Sequence, residues 1–292
     1  MDNQTTQPYL SVIIPAYNEE KRLPATLEEI DKYLSKQDYE YEIIVVSDGS
    51  KDKTAEVAMS YVQKIKNLKI IDNKENHGKG YVVRQAMLEA TGDYRLFTDA
   101  DNSTSIDQVE KMWPYFRKET RSLSEAKDSY FRKETRSLSE AKDSYFRKET
   151  RSLSEAKDSY FESEYDIVIG SRDVEGAVLA VPQSFQRRML GDTFNLVVKI
   201  VAGFWGISDT QCGFKGFTAR AVENIFPKCK IDRWAFDVEI LVIAKKMGYK
   251  IKEMPVTWVN DPYSKVKLKG MIRMLSEVLQ IRLNFLSGRY NN

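Results

Sequence analysis

Strands alternate with helices along this chain, and the alternation predicts an α/β protein with a mostly parallel central sheet flanked by helices. Three observations carry that expectation. Short β-branched runs recur ahead of segments with helical spacing. A polar or glycine-containing motif follows nearly every run, so the motifs gather where strands of such a sheet end. Finally, 292 residues at 42% hydrophobic suffice for a sizeable core.

The elements follow in order. Leu10–Pro15 (LSVIIP) is an apolar run of the buried-strand kind and stops at Pro15. After a turn, Leu23, Leu27, Ile30 and Leu34 recur at helical spacing. Glu42–Val46 (EIIVV) is a second strand, Asp48-Gly49-Ser50 its turn, and Asp52 or Thr54 the cap of the next helix. Leu68–Ile71 is a third strand, and Asn76-His77-Gly78-Lys79-Gly80 is a glycine-rich turn that opens a helix over Tyr81–Ala90. Tyr94–Phe97 is the fourth strand and runs through Thr98 into Asp99-Ala100-Asp101.

Carboxylates at i and i+2 can point the same way where a strand ends and the chain bends. Converging there, they repel unless a cation sits between them, and a hard divalent ion with oxygen ligands, Mg²⁺ or Mn²⁺, relieves that cost. The other reading of the same residues is a turn and cap for the helix that starts near Ser105.

From Tyr115 to Ser159 the 15-residue unit YFRKETRSLSEAKDS occurs three times, and Tyr160-Phe161 begins a fourth copy. Phe116, Thr120, Leu123, Lys127 and Phe131 form a narrow seam at about 3.75 residues per turn, slightly more than an α-helix. One helix of that length, roughly 68 Å, cannot bury the seam alone, so helical self-association into a homo-oligomer is expected. Short capped helices or a solvated linker fit the same composition.

Beyond the repeat, Tyr165–Gly170 (YDIVIG) reads as a strand leading into Ser171-Arg172, and Phe185–Trp205 as a helix carrying Arg187 and Arg188 in its first turns. Asp209–Phe226 is a loop or strand and then a helix; a further helix starts at Trp234 and ends near Met247-Gly248; Tyr249–Val259 is the last strand. The tail carries Met271, Met274, Leu275, Val278, Leu279, Ile281 and Leu283 beside Lys265, Lys267, Lys269, Arg273 and Arg282. It is either a basic amphipathic helix for an anionic bilayer surface or an ordinary packing helix. The divisions expected are 1–114, the repeat insertion 115–161, 162–260, and the basic helix 261–292.

Bulk chemistry excludes several classes. A formal net charge of +2 leaves no nucleic-acid footprint. Cys212 and Cys229 match no zinc or redox spacing, and the single histidine, His77, rules out a multi-histidine metal site within one chain. No run approaches the roughly 18 apolar residues of a membrane span, and MDNQTTQPYL lacks a signal-peptide pattern. An intracellular protein, soluble or peripheral on the inner face of a membrane, is expected.

Read together, SVIIPAYNEE (11–20), VVSDGSKDKT (45–54), NHGKG (76–80), FTDADN (97–102), IGSR (169–172), DTQCGFKGF (209–217) and RWAFDVEIL (233–241) resemble glycosyltransferase family 2, whose fold is GT-A. Within it the last two motifs are similar to those of polyprenyl-phosphate glycosyltransferases. The resemblance implies that Pro15, Ala16, Tyr17, Glu19 and Asp48 hold the nucleoside of a UDP-glucose or GDP-mannose type donor. Gly78 would admit close backbone approach and Lys79 would reach phosphate. Asp99 and Asp101 would bind the metal, with Asp99 also facing the nucleotide. Arg172 and Arg187 would hold the acceptor phosphate of a polyprenyl phosphate, with Lys215 and Lys265 as further candidates, and Asp209, Gln211, Asp237 and Glu239 would shape the sugar pocket. Two departures stand out. The family's acidic pair at the second strand is Ser47-Asp48 here, and the repeat is foreign to the pattern. Two alternatives stay open: transfer to a saccharide or protein hydroxyl, with Asp237 or Glu239 as base, or an assembly protein driven by the repeat with an inert catalytic domain.

Overall fold

The computed structural model describes residues 7–116, 164–180, 195–203, 205–259 and 268–291. The chain divides into two compact units, Met1–Met112 with Tyr165–Asn292, and Trp113–Glu164. The repeat, with the helix and self-association expected of it, lies outside the described residues. In its unit only a single helical turn, Trp113–Phe116, carries regular structure among the described residues.

The larger unit is organised by a seven-stranded sheet of order β3-β2-β1-β4-β7-β5-β8. The first four strands are β1 (Leu10–Ala16), β2 (Tyr41–Asp48), β3 (Leu68–Asn73) and β4 (Tyr94–Thr98). Helices α1 (Leu23–Leu34), α2 (Thr54–Tyr61) and α3 (Lys79–Glu89) alternate with them. Every residue of β1 and β2 is buried, as near-continuous apolar runs require when both faces of a parallel sheet are covered. On α1, Leu23, Leu27, Ile30 and Leu34 are the buried stripe that their spacing predicts.

The second half adds β5 (Ile167–Ser171), β7 (Phe214–Thr218) and β8 (Ile251–Pro255), while the two-residue strands β6 (Val178–Leu179) and β9 (Thr257–Trp258) pair separately. β7 runs antiparallel to both β4 and β5; every other pairing in the large sheet is parallel. This mixed α/β sheet is the GT-A arrangement. The reversal has a consequence for chemistry: Thr98 pairs with Phe214, so the residues entering β7 arrive at the edge where β4 ends.

The run 249–259 is two strands rather than the expected one, because the chain leaves the large sheet after Pro255 and pairs with β6. Of the helix expected over 185–205, residues 195–202 are helical and 181–194 lie outside the described residues. Helix α4 (Ala219–Ile225) is capped by Thr218, whose hydroxyl accepts the Ala221 N–H. Further α-helices among the described residues are α5 (Phe236–Lys246) and α6 (Leu268–Leu286). In the core Phe97 stacks on Phe217, centroids 6.3 Å apart, and packs at a tilt against Phe236, centroids 5.7 Å apart.

Candidate active site

β1 and β4 are neighbours although two strands separate them in sequence, so the strand order reverses between them. Ligands of such sheets bind at that point, beyond the carboxyl ends of the strands. Ala16, Asp48, Asp99 and Arg172 lie at or just past the carboxyl ends of β1, β2, β4 and β5, and Gly213 just before β7.

Asp99 and Asp101 stand at the switch point. The Oδ1 of Asp99 accepts the Lys79 ammonium at 2.5 Å. Gly213 makes room for it: a Cβ at that position would fall 2.0 Å from Asp99 Oδ2 and displace the carboxylate. Asp101 accepts the Ser103 N–H at 3.0 Å. Burial, and next the charge of Asp99, push the Asp101 carboxyl above the usual carboxylate range. Burial works against the charge of Lys79, but Asp99, Asp237 and Asp101 outweigh it and hold the ammonium protonated.

Lys79 is placed by the turn before α3. Gly78 adopts φ +109°, and a Cβ there would meet the Asp232 carbonyl at 2.4 Å, so glycine is required twice over. Asp48 organises the same turn. Its carboxylate accepts the N–H groups of His77 (2.8 Å) and Gly78 (2.9 Å) and the side-chain amide of Asn76 (2.8 Å). The carboxylate expected to face a base is thus engaged by three protein donors and shapes the loop.

At the end of β1, Pro15 and Ala16 are buried and Tyr17 is exposed. In the turn before α1, Glu19 accepts Arg22 Nε and Nη2 at 2.6 Å each, while its N–H donates to Thr54 Oγ1 at 2.7 Å.

The other arm of the edge is closed by ion pairs. Arg172 donates Nε and Nη2 to Asp209 at 2.6 and 2.9 Å, and its guanidinium lies 5.4 Å from the Trp258 ring. Burial would raise the Asp209 carboxyl, but Arg172 outweighs it and holds Asp209 below its ordinary value. Glu253 fixes the segment by accepting the N–H groups of Ser208 and Asp209 at 2.8 and 3.0 Å. Gln211 donates its backbone N–H to Asp209 at 3.1 Å and its side-chain amide to Met274 Sδ at 3.4 Å.

Lys215 is fully buried in β7 rather than free for a phosphate, donating to Asp237 at 2.5 Å and to the Cys212 carbonyl at 2.6 Å. Burial raises the Asp237 carboxyl, against the pull of Lys215 and Lys79. Glu239 does not join the edge. Two residues on along a helix turn a side chain through about 200°, and Glu239 is sealed against Lys230 N, Ile231 N and Tyr290 OH at 2.9, 2.8 and 2.8 Å. Arg187 and Lys265 lie outside the described residues. Gly213, Asn76, Glu253 and Trp258 are the contributors that sequence reasoning did not single out. Gly213 carried a signal, a glycine entering a strand beside the motif residues; Trp258 carried none.

Among the described residues no three His, Cys, Asp or Glu side chains gather into a ready-made metal cage. Asp99 and Asp101 nevertheless fit a hard divalent ion: Asp99 raises the cost of the Asp101 charge, and an ion on one or two carboxylates completes its shell with phosphate oxygens.

The family model for glycosyl transferase family 2 matches residues 11–155. A dolichyl-phosphate beta-glucosyltransferase of Trichomonas vaginalis is 34% identical over 280 residues, covering 94% of this chain and 73% of that protein. The dolichyl-phosphate beta-glucosyltransferase of Homo sapiens is 33% identical over 297 residues, covering 99% of this chain and 79% of its own length. Among solved structures, glucosyl-3-phosphoglycerate synthase from Mycobacterium tuberculosis in complex with Mn²⁺, uridine-diphosphate and glucosyl-3-phosphoglycerate superposes with a TM-score of 0.54. That likeness spans 97% of this chain and 80% of the other at 15% identity, and it is a likeness of fold.

Proposed function

The chain belongs to glycosyl transferase family 2, and from that premise we propose that it transfers glucose from UDP-glucose to a polyprenyl phosphate, with inversion and with Mg²⁺ or Mn²⁺. The observation that carries this reading is the acidic pair Asp99–Asp101 at the switch point with Lys79 beside it. Asp99 and Asp101 would hold the metal, which when bound offsets the charge that gathers on the departing diphosphate. Lys79 is a second fixed cation for the same phosphates.

An oxygen of the acceptor phosphate attacks the anomeric carbon as the bond to the diphosphate breaks, so an α-linked donor yields a β-linked product. That oxygen is ionised near pH 7 and needs no base; orientation and charge placement carry the rate. Arg172, together with Arg187 and Lys265, would hold the acceptor phosphate. A hydroxyl acceptor would need a carboxylate base, and both candidates are engaged elsewhere: Asp237 by Lys215, Glu239 by three donors.

A lipid acceptor also calls for a membrane surface. Among the described residues no helix is long and apolar enough to cross a membrane. On α6, Met274, Val278 and Ile281 pack inward while Ile272, Leu279, Leu283 and Leu286 are exposed, near Arg273 and Arg282. Such a face suits the interface of an anionic bilayer.

The test supplies labelled UDP-glucose or GDP-mannose with either a polyprenyl phosphate or a saccharide acceptor. The expected result is transfer from UDP-glucose to the lipid phosphate, abolished by chelator, with a β-linked product. Transfer to the saccharide alone, or full activity in chelator, would overturn the reading.

A further inference from the structure

The transfer chemistry has no use for Glu239, Glu277 or Tyr290, yet the three converge on one loop, residues 230–235 ahead of α5. Glu239 is fully buried and accepts the N–H groups of Lys230 and Ile231 from the start of that loop. Its remaining partner is the hydroxyl of Tyr290, just past the end of α6 and itself buried. At the far end of the loop, Glu277 on α6 accepts the Ala235 N–H at 2.9 Å. The loop is therefore fastened at both ends, and both fastenings depend on the C-terminal segment.

Its opposite side is the floor of the donor edge. The Asp232 carbonyl accepts the Tyr81 N–H at 3.0 Å, and the Asp232 carboxylate takes Arg84 Nη2 at 2.7 Å. The Cys229 carbonyl takes Arg84 Nη1 at 3.2 Å. Gly78 and Gly80 press so closely on the carbonyls of Asp232 and Ile231 that a Cβ on either would fall 2.4 and 2.6 Å away. Lys79 sits between these two glycines and is bonded to Asp99. A shift of the loop therefore shifts Lys79.

Burying a carboxylate and a phenol costs several kcal/mol unless each is satisfied, and apolar residues would fill the same volume. What the polar version adds is direction: hydrogen bonds fix the position of a backbone where packing alone tolerates sliding.

We propose that Glu239, Glu277 and Tyr290 are positioning residues, transmitting the seating of the C-terminal helix through loop 230–235 to the Gly78–Lys79 turn and so to the donor phosphates. The kinetic part of this rests on the transferase reading; the structural part does not.

The experiment compares Tyr290→Phe, Glu277→Ala and Glu277→Gln with Val278→Ala. The glutamine keeps an oxygen for the Ala235 N–H. Val278, buried on α6, serves as a control that weakens the helix without removing a hydrogen bond to the loop. Amide hydrogen exchange is followed in peptides spanning 76–81 and 230–236, alongside KM for UDP-glucose and kcat. In Tyr290→Phe and Glu277→Ala, exchange should quicken about tenfold in both segments, while KM rises about fivefold and kcat stays within about twofold. Glu277→Gln should behave as wild type, and Val278→Ala should lower Tm without moving either readout. Unchanged exchange over 76–81 in both Tyr290→Phe and Glu277→Ala, or an equal change in Val278→Ala, would overturn the proposal. If the wild type transfers no sugar at all, the transferase reading fails and exchange alone decides this one.

Discussion

At the two ends of one sheet sit two acidic side chains with opposite surroundings. Near the amino edge, Glu42 on β2 accepts from Ser11 Oγ (2.7 Å), Thr91 N (2.7 Å), Thr91 Oγ1 (2.9 Å) and Lys69 Nζ (2.6 Å). Burial works against its charge, but these partners outweigh it and hold the carboxyl below its ordinary value. Past the carboxyl edge, Asp101 has Ser103 as its hydrogen-bonding partner among the described residues and a like charge, Asp99, beside it. Burial and that charge push its carboxyl upward. The same fold meets the needs of one carboxylate in full and leaves the other short of positive charge. On the proposed function, that shortfall is where a ligand cation and its diphosphate would sit.

The contrast breaks most visibly in activity. Asp101→Ala should lower metal-dependent transfer by about a thousandfold or more, the order expected when several kcal/mol of charge stabilisation is lost. Its circular dichroism should match wild type, whereas Glu42→Gln should keep turnover per folded molecule within about twofold. A third carboxylate, Asp237, sharpens the point, because its cation is built in. Lys215→Met strands Asp237 in the core and should cost about 3–5 kcal/mol of stability by urea denaturation. Glu42→Gln removes charge-assisted bonds and should cost about 1–3 kcal/mol in the same assay.

The pH dependence has opposite signs at the two ends. Glu42 is lowered in the folded state, so its contribution is complete above the unfolded value of about 4.3 and is lost as pH falls through the folded value. Glu42→Gln should therefore flatten the acid limb of the stability curve. Asp101 is raised, so its ionisation opposes folding at neutral pH. Asp101→Asn should raise Tm at pH 7 by about 1–3 °C in the absence of metal, the smallest of these effects.

Much of this was readable before any coordinates. Leu23, Leu27, Ile30 and Leu34 declared α1 by spacing, and the motifs after β1, β2 and β4 declared the edge because parallel strands must all end on one side. The direction of β7 was not readable: FKGFT carries the same apolar signal whichever way it runs, and only pairing with β4 and β5 settles it. Polar residues inside apolar runs have partners that the sequence does not show. The family resemblance places Lys215, Asp237 and Glu239 around the acceptor and sugar; in the fold Lys215 and Asp237 pair with each other, and Glu239 accepts two backbone N–H groups and the Tyr290 hydroxyl. A lysine between Phe214 and Phe217 in a core strand demands a buried carboxylate, which is the clue that would have paired them. Tyr290 and Glu277 gave no local signal, since their partners lie 51 and 42 residues away.

Calorimetric titration of UDP into the wild type and into Asp101→Ala, each with Mn²⁺ and then with chelator, tests the acidic pair most directly. Tight binding by the wild type in Mn²⁺, weakened about a hundredfold by chelator or by the substitution, is the expected result. Equal affinity with and without metal, or in the variant, would contradict a cation held there against the diphosphate.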